Sequence, residues 1–308
     1  MNIGIKSVSA YRPQNKVNNL DSKEKWNVSE DFIKNKIGNI TLAKKSPKEK
    51  TTDIAKFAAQ DLFQKHESLK DRVECLILVT QNPDDSGLPH SSAILHHKLN
   101  LSEHCAVFDI SLGCSGYVHG LAIAKGFMES QGFNDGLLIT ADPYSEVIDN
   151  DDRDTALLFG DGATATWLSS SPIWEIGLCD FGTKSDLNKA LTVVDGRLNM
   201  KGREVFNFAA THVPMSVERL LLKSKLTIKD IDIVLLHQGS RFIVETLSKR
   251  IGSEGKTPFA STNYGNTVSS SIPMMLVDCN LNDVNTILIS GFGVGLSWAT
   301  SILKRVEI

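Results

Sequence analysis

The stretch Ala106-Val-Phe-Asp-Ile-Ser-Leu-Gly-Cys-Ser-Gly-Tyr-Val-His-Gly-Leu-Ala-Ile-Ala-Lys-Gly-Phe-Met128 decides how the chain is read. Its apolar start predicts a buried strand, Leu112-Gly-Cys-Ser-Gly116 a tight turn, and the nearly uncharged remainder a buried helix. Cys114 therefore stands where a strand hands over to a helix N-terminus. Unpaired backbone N–H groups and the positive end of the helix dipole favour an anion there. A thiol so placed is expected to have a lowered pKa and to act as a thiolate nucleophile. The competing reading is an inert core residue, since free Cys is among the most buried residue types.

Outward from this unit, apolar runs alternate with amphipathic segments. Upstream, residues 1–12 predict a strand, 14–50 a polar region with a short helix over 29–36, 51–66 a helix, 75–80 a buried strand and 90–99 a helix. Downstream, strands are predicted at 136–141 and 161–167. Ser169-Ser-Ser-Pro172 is a turn-rich break, dividing the chain into 1–171 and 172–308, and 173–203 carries little pattern. Beyond it come a helix (204–224), a strand (232–237), helices (241–251 and 267–279) and strands (286–290 and 296–303). Alternation of this kind predicts an α/β fold with buried sheets.

The two parts echo each other. From Thr80 to Cys114 is 34 residues, against 29 from His237 to Asn266; from Cys114 to Thr140 is 26, against 24 from Asn266 to Ser290. Side-chain identity is slight, so the echo lies in the spacing. A pseudo-twofold arrangement would bring Cys114, His237 and Asn266 to one central site at strand ends, where α/β sheets bind ligands.

Those three residue types suit one chemistry. A cysteine accepts an acyl group from a thioester. A neutral His and an Asn that donate hydrogen bonds to one carbonyl oxygen stabilise an enolate. The backbone N–H groups of Cys114 and of Val294, in Gly291-Phe-Gly-Val-Gly295, form an oxyanion hole. Taken singly, each has a plainer reading: a core histidine, an Asn before a helix, a bare glycine turn. The glycine run lacks the downstream acid of a dinucleotide fingerprint, which is rejected.

Composition bounds the rest. A formal charge of −3 argues against bulk nucleic-acid binding. No apolar run is long enough to cross a bilayer, and the first residues lack the zones of a secretory signal, so a cytoplasmic protein is expected. Five scattered cysteines without a Cys-x-x-Cys pair fit neither a disulfide framework nor a zinc site, and no metal is expected.

The ordered set Asp109-Ile-Ser-Leu-Gly-Cys-Ser-Gly116, Phe159-Gly-Asp-Gly-Ala163, Met200-Lys-Gly-Arg-Glu-Val-Phe206, His237-Gln238, Tyr264-Gly-Asn-Thr267 and Gly291-Phe-Gly-Val-Gly-Leu-Ser-Trp298 resembles the β-ketoacyl-acyl carrier protein synthase III family over nearly the whole chain. The resemblance implies a thiolase fold, two duplicated α/β halves in a five-layered αβαβα arrangement, and a homodimer. It implies an acyltransferase in which Cys114 takes an acyl group from acyl-coenzyme A, while His237 and Asn266 assist decarboxylation of malonyl-acyl carrier protein. No permanently bound cofactor is implied, with the coenzyme A thioester as substrate. Related thiolases carry a second cysteine, and hydroxymethylglutaryl synthases a glutamate, so a Cys-His-Asn set points to decarboxylative condensation. By the same resemblance Phe32 and Lys36 fall at the tunnel mouth, Arg153 at the nucleotide end of coenzyme A and Gly202 beside the pantetheine. For Arg153 a solvated turn is the equal alternative.

Two positions depart from the family. His237-Gln-Gly-Ser240 replaces His-Gln-Ala-Asn, so the hydroxyl of Ser240 stands where an amide helps hold pantetheine. Leu88 stands where many members offer a Phe from the partner subunit to the acyl pocket. Both differences point to a specialised paralogue. The rival readings are an acyltransferase of the same fold that uses a non-malonyl acceptor, and a non-catalytic carrier-protein-binding member.

Overall fold

The computed structural model describes residues 2–306. Strand β1 (Gly4–Tyr11) is followed by a hairpin of β2 (Asn15–Asn18) and β3 (Thr41–Lys44), whose loop holds the one-turn helix α1 (Lys23–Trp26). Then come α2 (Thr51–Lys65), β4 (Cys75–Val79), α3 (Ser91–Leu99), β5 (Ala106–Ile110), α4 (Gly116–Gln131), β6 (Asp135–Ala141), the one-turn α5 (Arg153–Ala156) and β7 (Ala163–Ser169). The succession then recurs. Strand β8 (Trp174–Thr183) leads to a hairpin of β9 (Leu191–Val194) and β10 (Arg197–Met200), then α6 (Gly202–Ser224), β11 (Ile233–Leu236), α7 (Arg241–Ile251), α8 (Ser271–Asp278), β12 (Thr286–Gly293) and β13 (Ser297–Arg305).

Hydrogen bonding repeats this pattern in space. One nine-stranded sheet runs β11-β12-β13-β8-β1-β7-β6-β4-β5. Without the hairpins, the first five strands lie third, second, fourth, fifth, first; the later ones lie second, fourth, fifth, first. Beside β11, where a further strand would fall, the Val234 N–H donates to the Lys256 carbonyl at 2.9 Å. Parallel pairs (β4 with β5 and β6, β11 with β12) sit toward both ends. Antiparallel β1 and β8 join the two parts through Gly4–Glu175 and Ile5–Trp174.

Side-chain alternation along the strands builds the layers. On β4, Leu76 and Leu78 face α2 and α3, whose Ile54, Ala58, Leu62 and Leu95 complete one apolar cluster. Cys75, Ile77 and Val79 face the other way, toward Tyr117 and Leu121 of α4 and Met275 of α8. Those two helices also pack on β12 and β13, so they are buried between the two parts of the sheet. Beyond β12 and β13, Phe208, Val213 and Leu220 of α6 and Leu247 of α7 close a third cluster. The order is helix, sheet, helix, sheet, helix, the five-layered α/β arrangement expected. Each fully buried Leu or Ile contributes about 1.5–3 kcal/mol to holding these layers together.

Two expectations are corrected. The segment 173–203 contains β8, β9 and β10. Gly177 and Gly182 interrupt β8 and its burial alternates irregularly, so no apolar run announces it. The helix expected from 267 starts at Ser271, because Val268 takes φ 53°, outside right-handed helical space. The short helix expected over 29–36 is present, as a π-helical segment over Phe32–Ile37.

Candidate active site

Cys114 sits on the turn between β5 and α4, 4% exposed, and the C-terminal part of β12 lies directly against it. A Cβ on Gly291 would come within 2.6 Å of the Cys114 carbonyl oxygen, and one on Gly293 within 2.7 Å of the sulfur. Only glycine permits that approach, and Gly293 also takes φ 157°. The reward is electrostatic: the backbone N–H groups of Val294 and Cys114 favour the anionic form of the sulfur.

The expected lowering of the thiol pKa is not found. Burial pushes Cys114 up to about 12, outweighing the two N–H groups, and nearby Asp142 pushes the same way. A helix terminus contributes only about 0.3–1 kcal/mol at an exposed site, too little against complete desolvation. At rest Cys114 is a thiol.

His237 follows β11, and its backbone N–H donates to Ser290 on β12 at 2.9 Å. Its Nδ1 pairs with Ser271 Oγ at 2.8 Å, and Phe292 stands edge-on to the ring at 5.5 Å. Burial drives its pKa down to about 3, against a smaller opposing pull from the Val268 backbone. The imidazole is neutral throughout the physiological range. Asn266 is held by backbone bonds on both sides, its N–H to Leu158 and its carbonyl from Gly160. Its Oδ1 accepts the Val268 N–H at 2.9 Å, which leaves the Nδ2 hydrogens to donate. Val268, β-branched and left-handed, stores strain of order 1–3 kcal/mol beside the site.

Cys114, His237 and Asn266 line one cavity of about 270 Å³. Each is at most 4% exposed, so they occupy its inner end. Phe292, Leu158 and Phe159 make the walls there apolar. Phe32, Arg153 and Gly202 lie toward the mouth; Arg153 is exposed, paired with Asp154 at 2.9 Å and 6.0 Å from the Phe32 ring. Ser240 also lines the cavity, and its Oγ caps α7 by accepting the Ile243 N–H. Lys36 does not line it; its ammonium sits 4.5 Å over the ring of Phe242, which does. Val294 places its backbone near the sulfur and also lines a neighbouring cavity. Leu88 lies outside, 85% exposed.

Several residues escape the sequence reading. Phe292 lies inside the glycine-rich run, where the glycines and not the ring carry the signal. Ser271 and Asp142 carry no motif. Asp142 is fully buried and accepts from the Gln81 N–H at 2.6 Å and from the Ser269 hydroxyl, yet burial still pushes its pKa up to about 6.

Comparison with known proteins gives the family. Residues 108–186 match the model of 3-oxoacyl-[acyl-carrier-protein] synthase III, and residues 221–305 match its C-terminal model. The β-ketoacyl-[acyl-carrier-protein] synthase III of Streptococcus mutans is 32% identical, with 97% of this chain and 98% of that protein covered. A solved 3-oxoacyl-(acyl-carrier-protein) synthase III superposes with a TM-score of 0.93 at 32% identity, covering 99% of this chain and all of the other. The Thermus thermophilus synthase III gives 0.91 at 28% identity, with 99% and 100% covered. This chain belongs to the β-ketoacyl-acyl carrier protein synthase III family of acyl-transferring, thiolase-fold enzymes.

Proposed function

We propose that the protein condenses an acyl primer, delivered as its coenzyme A thioester and carried on Cys114, with malonyl-acyl carrier protein. The observation that carries this reading is the meeting of a thiol, a neutral imidazole and a free amide donor at the inner end of one apolar cavity. In the first step the Cys114 sulfur attacks the thioester carbonyl and the oxyanion faces the Val294 and Cys114 N–H groups. The carbon–sulfur bond to coenzyme A breaks, and the thiol proton ends on the released coenzyme A. In the second, the malonyl carboxylate leaves as carbon dioxide, and the electron pair becomes an enolate whose oxygen accepts from His237 and Asn266. Its carbon attacks the acyl-Cys114 carbonyl, the Cys114 sulfur leaves, and a solvent proton restores the thiol. A Ser271 hydroxyl that donates to Nδ1 places the ring proton on Nε2 for the enolate.

The neutral histidine weighs against transfer to a hydroxyl or amine acceptor. Such a reaction calls for a general base poised near the working pH, whereas burial holds His237 near 3.

The same reading takes in the coarser features. The units 1–171 and 172–308 are duplicated halves. Arg153 receives the nucleotide end of coenzyme A, Phe32 and Lys36 stand at the tunnel mouth, and Gly202 and Ser240 flank the pantetheine. The protein works as a cytoplasmic homodimer, without a metal or bound cofactor, and Leu88 of one subunit covers the acyl pocket of the other. Among the described residues no helix is long and apolar enough to cross a membrane.

Intact-mass analysis tests the scheme. Incubation with acyl-coenzyme A should add one acyl mass to the wild type, and malonyl-acyl carrier protein should discharge it with release of carbon dioxide. Failure of every thioester to label Cys114 overturns the scheme; discharge without carbon dioxide replaces it with plain acyl transfer.

A further inference from the structure

Asn266 owes its place to a neighbouring segment, residues 157–160. The Asn266 N–H donates to the Leu158 carbonyl at 2.9 Å, and the Gly160 N–H donates back to the Asn266 carbonyl at 3.0 Å. Three consecutive carbonyls of that segment each accept a side-chain donor from one other stretch of chain, the β2–β3 hairpin. Asn19 Nδ2 donates to Leu157 at 2.9 Å, Asn39 Nδ2 to Leu158 at 2.9 Å and Lys44 Nζ to Phe159 at 3.0 Å. The Leu158 oxygen, with two lone pairs, therefore takes Asn39 and Asn266 together.

The donors are themselves fixed. The Ser261 hydroxyl donates to Asn39 Oδ1 at 2.8 Å, which turns the amide nitrogen toward Leu158. Asn19 donates a second bond, to the Asn39 carbonyl at 2.8 Å. Asn19 and Asn39 are buried, and Lys44 is half-buried enough for desolvation to lower its pKa against the pull of Asp161. Such burial is unfavourable unless each group is bonded, and all three bond the same short segment. The direction of its carbonyls then sets where Asn266 sits, and with it where the Nδ2 hydrogens point.

Resting on the reading of Asn266 as an enolate donor, we propose that Asn39 and Lys44 are positioning residues for the condensation step. They hold segment 157–159, and through its backbone the Asn266 amide. Neither lines the cavity. Cys114 stands between β5 and α4 and against β12, none of which these donors bond, so its acylation is spared.

The test runs the two half-reactions of the full-length enzyme separately. Acetyl-, isobutyryl- and hexanoyl-coenzyme A are offered, and the one that labels wild type fastest is used for single-turnover labelling of Cys114. Carbon dioxide release is then measured when malonyl-acyl carrier protein meets the acylated enzyme. Lys44→Met and Asn39→Leu should each lower that release by about two- to tenfold, the effect of one hydrogen bond, with labelling close to wild type. Lys44 is the less buried position, so its variant stands if Asn39→Leu fails to fold. Lys44→Arg keeps a donor and should keep most of the rate; a loss as large as that of Lys44→Met assigns the effect to packing and overturns the proposal. In an Asn266→Ala background Lys44→Met should cost nothing further, because one residue acts through the other. A full further loss there, an equal fall in both half-reactions, or wild-type release from both single variants overturns the proposal and leaves Asn266 as a donor. If no thioester labels Cys114, or Asn266→Ala alone leaves release unchanged, the reading beneath falls and the proposal with it.

Discussion

The two parts of the molecule share a scaffold and divide a chemistry. Each runs from a strand through a hairpin to an outer helix, and each ends its second strand, β4 or β11, at the site. In the first part that strand is followed by Thr80-Gln81; in the second it is followed by His237-Gln238. The first buries its central helix behind a thiol whose anion two backbone N–H groups favour, and the second places Asn266 ahead of its own. Repetition of backbone thus explains why the ends converge, while divergence of side chains explains why one part is suited to carry the acyl group and the other to handle the enolate. Gly291 and Gly293 are the join, because they let β12 of the second part touch Cys114 of the first.

The sharpest way to break this division is Cys114→Ala. Acylation should vanish from the mass spectrum, and condensation should fall by about 10³-fold or more, as when the nucleophile is lost from a cooperative catalytic set. A residual adduct that maps to Cys179 or Cys279 would show that the first part does not carry the acyl group alone.

Next in size are His237→Ala and Asn266→Ala. Removing one donor from a developing oxyanion costs about 10²–10³ in rate. Condensation measured as carbon dioxide release should drop by that factor, while single-turnover labelling of Cys114 by acyl-coenzyme A stays close to wild type. Equal losses in both steps would abolish the distinction between the parts. A linked expectation concerns pH. With its folded pKa depressed to about 3, His237 stabilises the fold fully above its ordinary 6.5, and that contribution erodes as pH falls toward 3. Ring nitrogen shifts in NMR should therefore show no titration of His237 between pH 5 and 8.

Much of this division is legible in the sequence, for identifiable reasons. Cys75–Val79 is an unbroken apolar run, so β4 declares itself. Cys114, His237 and Asn266 each end or precede a recognisable element, and their spacing repeats. By contrast, β8 carries its glycines and polar residues across a partly exposed face, and its pairing with β13 and β1 is fixed by partners far away in the chain. The start of α8 lies later than local propensity suggests because a left-handed valine is a tertiary constraint. The thiolate expectation fails for a similar reason: position at a helix terminus can be read locally, but the degree of desolvation depends on β12 and on Asp142. The Gln81–Tyr144 bond joins residues 63 apart, and no local pattern foretells it.

Asp142 gives a prediction of intermediate size. It lies just beyond β6 in the first part and accepts from Ser269 in the second, so it is a seam between them. Its folded pKa of about 6 lies above the ordinary 3.8. The native state therefore holds the proton more tightly, and stability should fall as pH rises from about 4 through 6, by about 3 kcal/mol at most. In urea unfolding, wild type should lose stability relative to Asp142→Asn over that interval. Parallel curves would remove Asp142 as a pH-dependent strut.

The smallest effect is assigned to Ser271→Ala, and it probes the second part from within. Ser271 opens α8 and meets His237 Nδ1 at 2.8 Å, and in the proposed scheme its hydroxyl donates there, which keeps the ring proton on Nε2. Without it the Val268 backbone is the remaining neighbour that bonds the ring. A proton moved to Nδ1 would leave Nε2 as an acceptor, unable to donate to the enolate. One neutral hydrogen bond contributes about 0.5–1.5 kcal/mol, which corresponds to a loss of about two- to tenfold in carbon dioxide release. Labelling of Cys114 should not change, since Ser271 has no part in the first step. Ser271→Thr keeps the hydroxyl and should restore the rate, a rescue that mere packing would not produce. A fall in labelling equal to the fall in condensation would mean that Ser271 supports both parts of the site rather than the histidine alone.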